Sequence, residues 1–141
     1  MFLKAKRGKA SNLEKKEKQT VVLACSGIGK AFGTVSRLAA LKTKGAKVRC
    51  LAAVDVEGSD ARNDTKSAEK VITIDGCPRK CAHNIAARAR GNETGIKSVL
   101  VWAECKKSGL KPDNSVLDVG EGGRKLAKKI AEETSAVAEG D

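Results

Sequence analysis

The sequence predicts an α/β fold, namely a three-layer αβα domain with a mainly parallel sheet of about four strands. Short apolar, β-branched runs alternate along the chain with segments whose apolar residues recur at helical spacing. This alternation is typical of β-α-β units, in which parallel strands lie side by side and helices cover the sheet. The length of 141 residues is sufficient for one compact domain.

Four apolar runs predict the strands. Thr20 to Cys25 is β-branched and stops at Ser26-Gly27, which is typical of a buried parallel strand that ends in a turn. The other predicted strands are residues 47–54, ending near Cys50 to Ala53, then residues 70–74, closed by Asp75-Gly76, and residues 97–103.

Helices are predicted between and after these strands. Apolar residues at positions 28, 32, 35 and 39 indicate an amphipathic helix that ends near Gly45. Residues 57–70 are expected to be loop with a short helix over 60–69. Cys77-Pro78 is predicted to open a helix that continues to about Arg90, because proline is tolerated in the first turn. Residues 106–119 are turn-rich, and residues 120–123 are expected to turn the chain, or to act as a flap, before a last helix over 121–138.

The net charge of +11 is distributed unevenly. Residues 1–18 carry seven basic and two acidic side chains, so about half of the excess lies there. We therefore predict a basic, flexible N-terminal tail over residues 1–18 and a single cysteine-rich metal-binding domain over residues 19–141. The tail is either simply solvated or binds an acidic protein or nucleic acid. Scarce aromatic residues argue against base stacking.

The basic start of the chain is not followed by the apolar segment of a secretory signal, and no apolar run is long enough to span a bilayer. The expected compartment is therefore the cytoplasm, with no membrane partner. Because thiols are kept reduced there, the five cysteines are better interpreted as metal ligands, reactive thiols or core residues than as disulfides.

The placement of the cysteines is the main functional signal. Cys25, Cys50 and Cys77 lie at the ends of three predicted strands, so they are expected at one edge of the sheet. Cys77 and Cys81 are four residues apart and would share a helix face. Four converging thiolates match a tetrahedral zinc site, so the predicted metal ligands are Cys25, Cys50, Cys77 and Cys81. An iron–sulfur cluster is the alternative cofactor, because four cysteines would also hold one.

Other interpretations stay open at this point. Cys25 and Cys50 could be buried small hydrophobes, and Cys105 could be a fifth ligand, a spare thiol or a core residue. His83 could replace a cysteine as ligand, although a partly exposed helical histidine is the expected role. Asp75 is expected to cap the following helix or to support a ligand, and Gly76 to form the sharp turn.

The segment Ile72 to Ala82, which reads ITIDGCPRKCA, resembles the signature of the DGC-domain family of zinc-binding proteins. The upstream Cys25-Ser26-Gly27 and Cys50-Leu51-Ala52 also match the pattern of this family. The resemblance covers residues 20 to 105 and implies four chelating cysteines, at positions 25, 50, 77 and 81. It implies no established reaction, and Cys105 and the basic tail have no counterpart in it.

Competing motifs fit poorly. The glycines at positions 27, 29 and 33 are spaced one residue too far apart for a dinucleotide fingerprint, and Ala31 stands where a phosphate loop needs serine or threonine. We therefore predict a zinc-binding protein with a structural, regulatory or metal-handling role, in which catalytic residues are unknown and enzymatic activity is left open. The alternatives are a thiol redox or sensor protein, an iron–sulfur protein, and a nucleic-acid-binding adaptor that uses the tail.

Overall fold

The structure is a computed structural model that describes residues 19–25, 27 and 30–140. The predicted basic tail over residues 1–18 lies outside the described residues. The strands are β1 (Thr20–Ala24), β2 (Lys47–Arg49), β3 (Lys70–Asp75) and β4 (Ile96–Leu100). The helices in the described part are α1 (Ala31–Lys42), α2 (Leu51–Val54), α3 (Asp60–Ser67), α4 (Cys81–Arg90), α5 (Val101–Ser108) and α6 (Gly120–Glu139).

The four strands form one sheet in the order β2-β1-β3-β4, and every neighbouring pair is parallel. The predicted α/β class and the parallel four-stranded sheet are thereby confirmed. The central strands β1 and β3 are paired from Thr20 with Lys70 to Ala24 with Ile74, so their carboxyl ends are level. This register places the segments that follow β1 and β3 side by side.

The side chains of the central strands alternate between two hydrophobic clusters. Val22, Ile72 and Ile74 pack with residues of α1, α5 and α6, whereas Val21 and Leu23 pack with residues of α2, α3 and α4. Burial on both faces explains why these strands are continuous apolar runs, because successive strand side chains point to opposite faces. A sheet that is covered on both faces has one such cluster on each face. The three-layer arrangement itself stays a prediction.

Two predicted strands are too long. β2 ends at Arg49 and the short helix α2 follows, whereas we expected a strand as far as Cys50 to Ala53. β4 ends at Leu100, and the residues after it form α5 rather than more strand and turn. The physical reason is that Val101 and Cys105, four residues apart, both reach the core from one helix face. A short apolar run can form either a strand or part of a buried helix. The hydrophobic periodicity of these two runs therefore did not distinguish strand from helix.

The last helix begins at Gly120, so residues 120–123 are its first turn and not a flap. A Cβ atom at Gly122 would collide with the Lys111 carbonyl oxygen, and one at Gly123 would lie 2.5 Å from Val119 Cβ. These glycines therefore allow the α5–α6 connection to pack directly on the helix. No helix in the described part of the chain is long and apolar enough to cross a membrane.

Candidate metal centre at the switch point

The strand order reverses at β1. The chain passes from β1 to β2 on one side and then returns to form β3 on the other side of β1. In parallel α/β sheets, ligands bind in the crevice outside the carboxyl ends of the strands at such a reversal. Cys25 follows β1 and Cys77 follows β3, so both lie at this crevice.

The backbone of Cys25 is fixed on two sides. Its N–H donates to the Ile74 carbonyl at 3.0 Å, which extends the pairing of β1 with β3 by one residue. Its carbonyl accepts a hydrogen bond of 2.8 Å from the hydroxyl of the buried Ser36 on α1. The sheet and α1 together therefore determine where the half-buried Cys25 thiol lies.

Cys25 and Cys77 line the same small cavity, which has a volume of about 100 Å³. Two glycines let the surrounding backbone segments approach each other. A Cβ at Gly76 would lie 2.9 Å from the Phe32 carbonyl carbon, and one at Gly33 would lie 2.5 Å from the Gly27 oxygen. Close approach to α1, and not only a sharp turn, is therefore the reason for glycine at position 76.

Cys81 is the first residue of α4, and this overturns the prediction that Cys77 and Cys81 share a helix face. Residues 77–80 form a turn instead, in which the Lys80 N–H donates to the Cys77 carbonyl at 3.2 Å. Lys80 has a φ of 53°, the left-handed conformation, and among the described residues it is the one non-glycine with positive φ. Proline was compatible with a first helical turn, but the left-handed residue delays the helix by four positions.

Asp75 holds the start of α4 in place. Its side chain is buried, with 1% of its surface exposed. One carboxylate oxygen accepts from the Ala82 N–H at 2.7 Å and the other from the His83 N–H at 3.1 Å. The predicted capping role is confirmed, although the cap comes from the end of β3 and not from the residue that precedes the helix.

Negative charges at this edge of the sheet act on the Cys25 thiol. Burial raises the pKa of the Cys25 thiol, while a hydrogen bond from the Gly27 backbone lowers it. Negative charge on Cys81, Asp75 and Cys77 raises this pKa further. Burial also raises the pKa of Asp75, against the lowering effect of the Ala82 and His83 N–H groups. In the absence of a cation, negative charges at this edge of the sheet therefore oppose one another.

Cys50 lies at the same edge of the sheet and does not line the Cys25–Cys77 cavity. It directly follows β2, whose last residue Arg49 pairs with Leu23, and it is exposed immediately before α2. Within the described residues, no three or more His, Cys, Asp and Glu side chains are arranged so that they could hold a metal ion. The zinc ligand set consequently stays a prediction.

The two remaining candidates have other roles. Cys105 is 7% exposed and belongs to the hydrophobic cluster that covers one face of the sheet, so it is a core residue. His83 lies on α4, is partly buried, and its Nε2 atom is 2.8 Å from Glu93 Oε1. This agrees with the expected partly exposed helical histidine. All five cysteines are free thiols.

Sequence reasoning missed two residues that position the site, Ser36 and Lys80. Ser36 is a buried polar residue on the apolar face of α1, next to Val35. A polar side chain on that face indicated a hydrogen bond to a group outside the helix, because buried polar groups are hydrogen-bonded. Lys80 carried no comparable signal, because lysine is not enriched in the left-handed conformation.

One known protein family matches this chain. The DGC domain matches residues 21–111, which is more than half of the chain and includes all five cysteines. The chain belongs to the DGC domain family. Its matched segment begins in β1 and ends just after α5, so the switch point and the Asp75-Gly76-Cys77 turn both lie inside the family's domain. No curated protein and no solved structure matches the chain.

The donors present fit zinc chemically. Cysteine thiolates are preferred zinc ligands, Cys25 and Cys77 line one cavity, and the charge of Cys81 acts on Cys25. Cys81 is exposed, and Cys77 lies in a loop, so these thiols have room to turn toward a common point. Zinc binding would require that adjustment.

Proposed function

We propose that this DGC-domain protein binds Zn²⁺ at the switch point through Cys25, Cys77 and Cys81, and that Cys50, which follows β2 at the same edge of the sheet, is the candidate for a fourth ligand. The observation that carries the proposal is the meeting of Cys25 and Cys77 in one small cavity, with Cys81 near enough for its charge to act on Cys25. These three thiols come from the segments after β1 and β3, where α/β sheets bind their ligands.

The chain's own residues prepare this site. Ser36 holds the Cys25 carbonyl, Asp75 holds the start of α4, and Gly76 lets the Cys77 segment pack on α1. When bound, zinc would supply the positive charge that keeps the thiols deprotonated. It would also join the segment after β1 to the segment after β3. Zinc would thus be held by two parts of the chain. One is Cys25, whose backbone is hydrogen-bonded to β3 and α1, and the other is the segment in which Cys77 begins the 77–80 turn and Cys81 follows it.

Cys50 decides the type of site. If it binds, four thiolates close the coordination shell, and the role is structural or regulatory. If it does not, an open position remains for water or for a thiol of another molecule, and the role is metal handling or catalysis. The five free thiols suit a reducing compartment such as the cytoplasm.

Elemental analysis of single Cys→Ser variants tests the proposal. We expect one zinc per chain in the wild type, loss of zinc in Cys25→Ser, Cys77→Ser and Cys81→Ser, and retention in Cys105→Ser, which is the matched control in the core. Cys50→Ser separates a closed site, which loses tight binding, from an open one, which keeps it. Full zinc content in Cys77→Ser and Cys81→Ser would contradict the proposal.

An iron–sulfur cluster is distinguished in the same experiment. Protein purified without oxygen would then be brown and contain iron and sulfide, whereas zinc protein is colourless. The thiol redox alternative requires a metal-free protein with a cysteine of lowered pKa, which rapid alkylation near neutral pH would reveal.

A further inference from the structure

A second and larger cavity lies next to the thiol site, and we propose that it binds a small organic anion with a planar, apolar body. Its volume is about 640 Å³, within the range of pockets that hold small molecules. It is bounded by the start of α1, by α5 and by the α5–α6 connection. None of the four cysteines assigned to zinc lines it.

The charge of the cavity selects an anion. Lys30, Lys106 and Lys111 reach it from three different segments. Within residues 19–25, 27 and 30–140, none of these ammonium groups forms an ion pair with a carboxylate. Asp113 is the one carboxylate of the lining, and its oxygens lie against Gly120 at the start of α6, where the helix dipole favours negative charge. These three ammonium groups therefore line the cavity without a carboxylate partner and can attract an anionic ligand.

The rest of the lining selects a flat apolar body. Trp102 is 38% exposed, and together with Phe32 it supplies aromatic surface to the cavity. The Lys106 ammonium lies 3.8 Å from the centre of the Trp102 ring, so cation and aromatic face are presented together. A planar ligand would cover the part of this aromatic surface that is exposed.

The cavity is preformed. The Thr34 hydroxyl on α1 donates to the Val116 carbonyl at 2.9 Å, and the Asp113 N–H donates to the Val119 carbonyl at 2.7 Å. The first bond holds the α5–α6 connection against α1, and the second joins two residues of that connection just before α6. Lys30 and Phe32 line this cavity and also the small cavity of Cys25 and Cys77, so a bound anion would lie beside the thiol site.

Fluorescence titration with anilinonaphthalene sulfonate, a planar aromatic anion, tests the proposal. Trp102 is the single tryptophan of the chain, so energy transfer from tryptophan to the dye reports dye binding, and the lysine variants locate that binding at this cavity. We expect saturable binding of one dye per chain, and about tenfold weaker binding when Lys106 and Lys111 are both replaced by glutamine. Lys66→Gln on α3, which removes one exposed charge far from the cavity, should leave the affinity unchanged.

Neutral phenylnaphthylamine, which lacks the sulfonate, is the matched probe. We expect the wild type to bind it about tenfold more weakly than the anionic dye, and the double lysine variant to bind it like the wild type. Equal affinity for the two dyes, or an unaltered sulfonate affinity in the double variant, would overturn the proposal. The titration is done with zinc-loaded and zinc-stripped protein, so dye binding that persists without zinc separates this site from the metal centre.

Discussion

Asp75 shows how one buried carboxylate organises the site. It ends the central strand β3, and its two oxygens accept hydrogen bonds from the Ala82 and His83 N–H groups in the first turn of α4. Cys81, which begins α4 directly after the 77–80 turn, is therefore connected to the sheet through this side chain. The Asp-Gly-Cys order has a physical meaning here, because the carboxylate caps, the glycine packs on α1 and the thiol enters the crevice.

Replacement of Asp75 by asparagine should destabilise the protein by about 1 to 3 kcal/mol, because an amide has only one acceptor oxygen and leaves a buried N–H unpaired. Urea unfolding followed by circular dichroism measures this effect. Asp55→Asn is the matched control, since its ion pair with Arg88 at 3.2 Å is exposed and contributes less than about 1 kcal/mol. Equal midpoints for the two variants would show that the Asp75 cap is unimportant.

At this scale the sequence correctly predicted that three cysteines follow strands, and it predicted the geometry of residues 77–81 wrongly. The cysteines at positions 25, 50 and 77 do follow three strands. The sequence could predict this because a change from an apolar run to turn-forming residues marks locally where a buried strand ends. The shared helix face of Cys77 and Cys81 was wrong, since a left-handed residue at Lys80 depends on the packing of the turn. Local spacing does not report that conformation.

Among the elements, α1 contributes most to the position of the site. Its Gly33 lies against the backbone of Gly27, its Ser36 holds Cys25, and its Phe32 separates the two cavities. The helix is thus a support for the loop after β1 as well as a part of the core.

Gly33→Ala should cost about 1 to 3 kcal/mol and weaken zinc binding, because the new Cβ would meet the Gly27 oxygen at 2.5 Å and displace the Cys25 loop. At an unobstructed helix position the same change would stabilise by about 1 kcal/mol, so the sign of the effect is informative. Gly27→Ala is the control, since its Cβ would be 3.8 Å from Cys25 Sγ, an ordinary contact. Thermal unfolding and zinc titration measure both effects. Stabilisation by Gly33→Ala would contradict the inferred contact.

The element boundaries show where local patterns are insufficient. The central strands β1 and β3 were predicted closely because burial on both faces leaves a continuous apolar run. The edge strands β2 and β4 were predicted too long, because their apolar runs continue into α2 and α5. Only the contacts of Val54 and Val101 with the core decide that these runs become helical.

For the whole molecule, the strand order is the determining feature. The order β2-β1-β3-β4 places the reversal between β1 and β3 and brings two distant segments of the chain together. Cys25 and Cys77 are 52 positions apart in the sequence, yet they line one cavity. A ligand that joins them closes a long loop and therefore affects the stability of the entire domain.

Zinc should accordingly stabilise the folded chain in proportion to the logarithm of free zinc. At a concentration one hundredfold above Kd, the expected gain is about 2.7 kcal/mol for a single site. Unfolding midpoints measured over a series of buffered zinc concentrations test this dependence. Magnesium, which prefers oxygen ligands, should have no such effect, and neither should zinc on Cys77→Ser. A midpoint that is independent of zinc in the wild type would contradict a site specific to the folded state.

The sequence by itself determined the α/β class, the central strands, the capping role of Asp75 and membership of the family that its Asp75-Gly76-Cys77 segment indicated. These features depend on periodicity and on neighbours within a few residues. The tertiary structure alone decided the switch point, the turn between Cys77 and Cys81, the exposed position of Cys50 before α2 and the cavity beside Trp102. Each of these depends on contacts between segments far apart in the chain, and those contacts arise from packing.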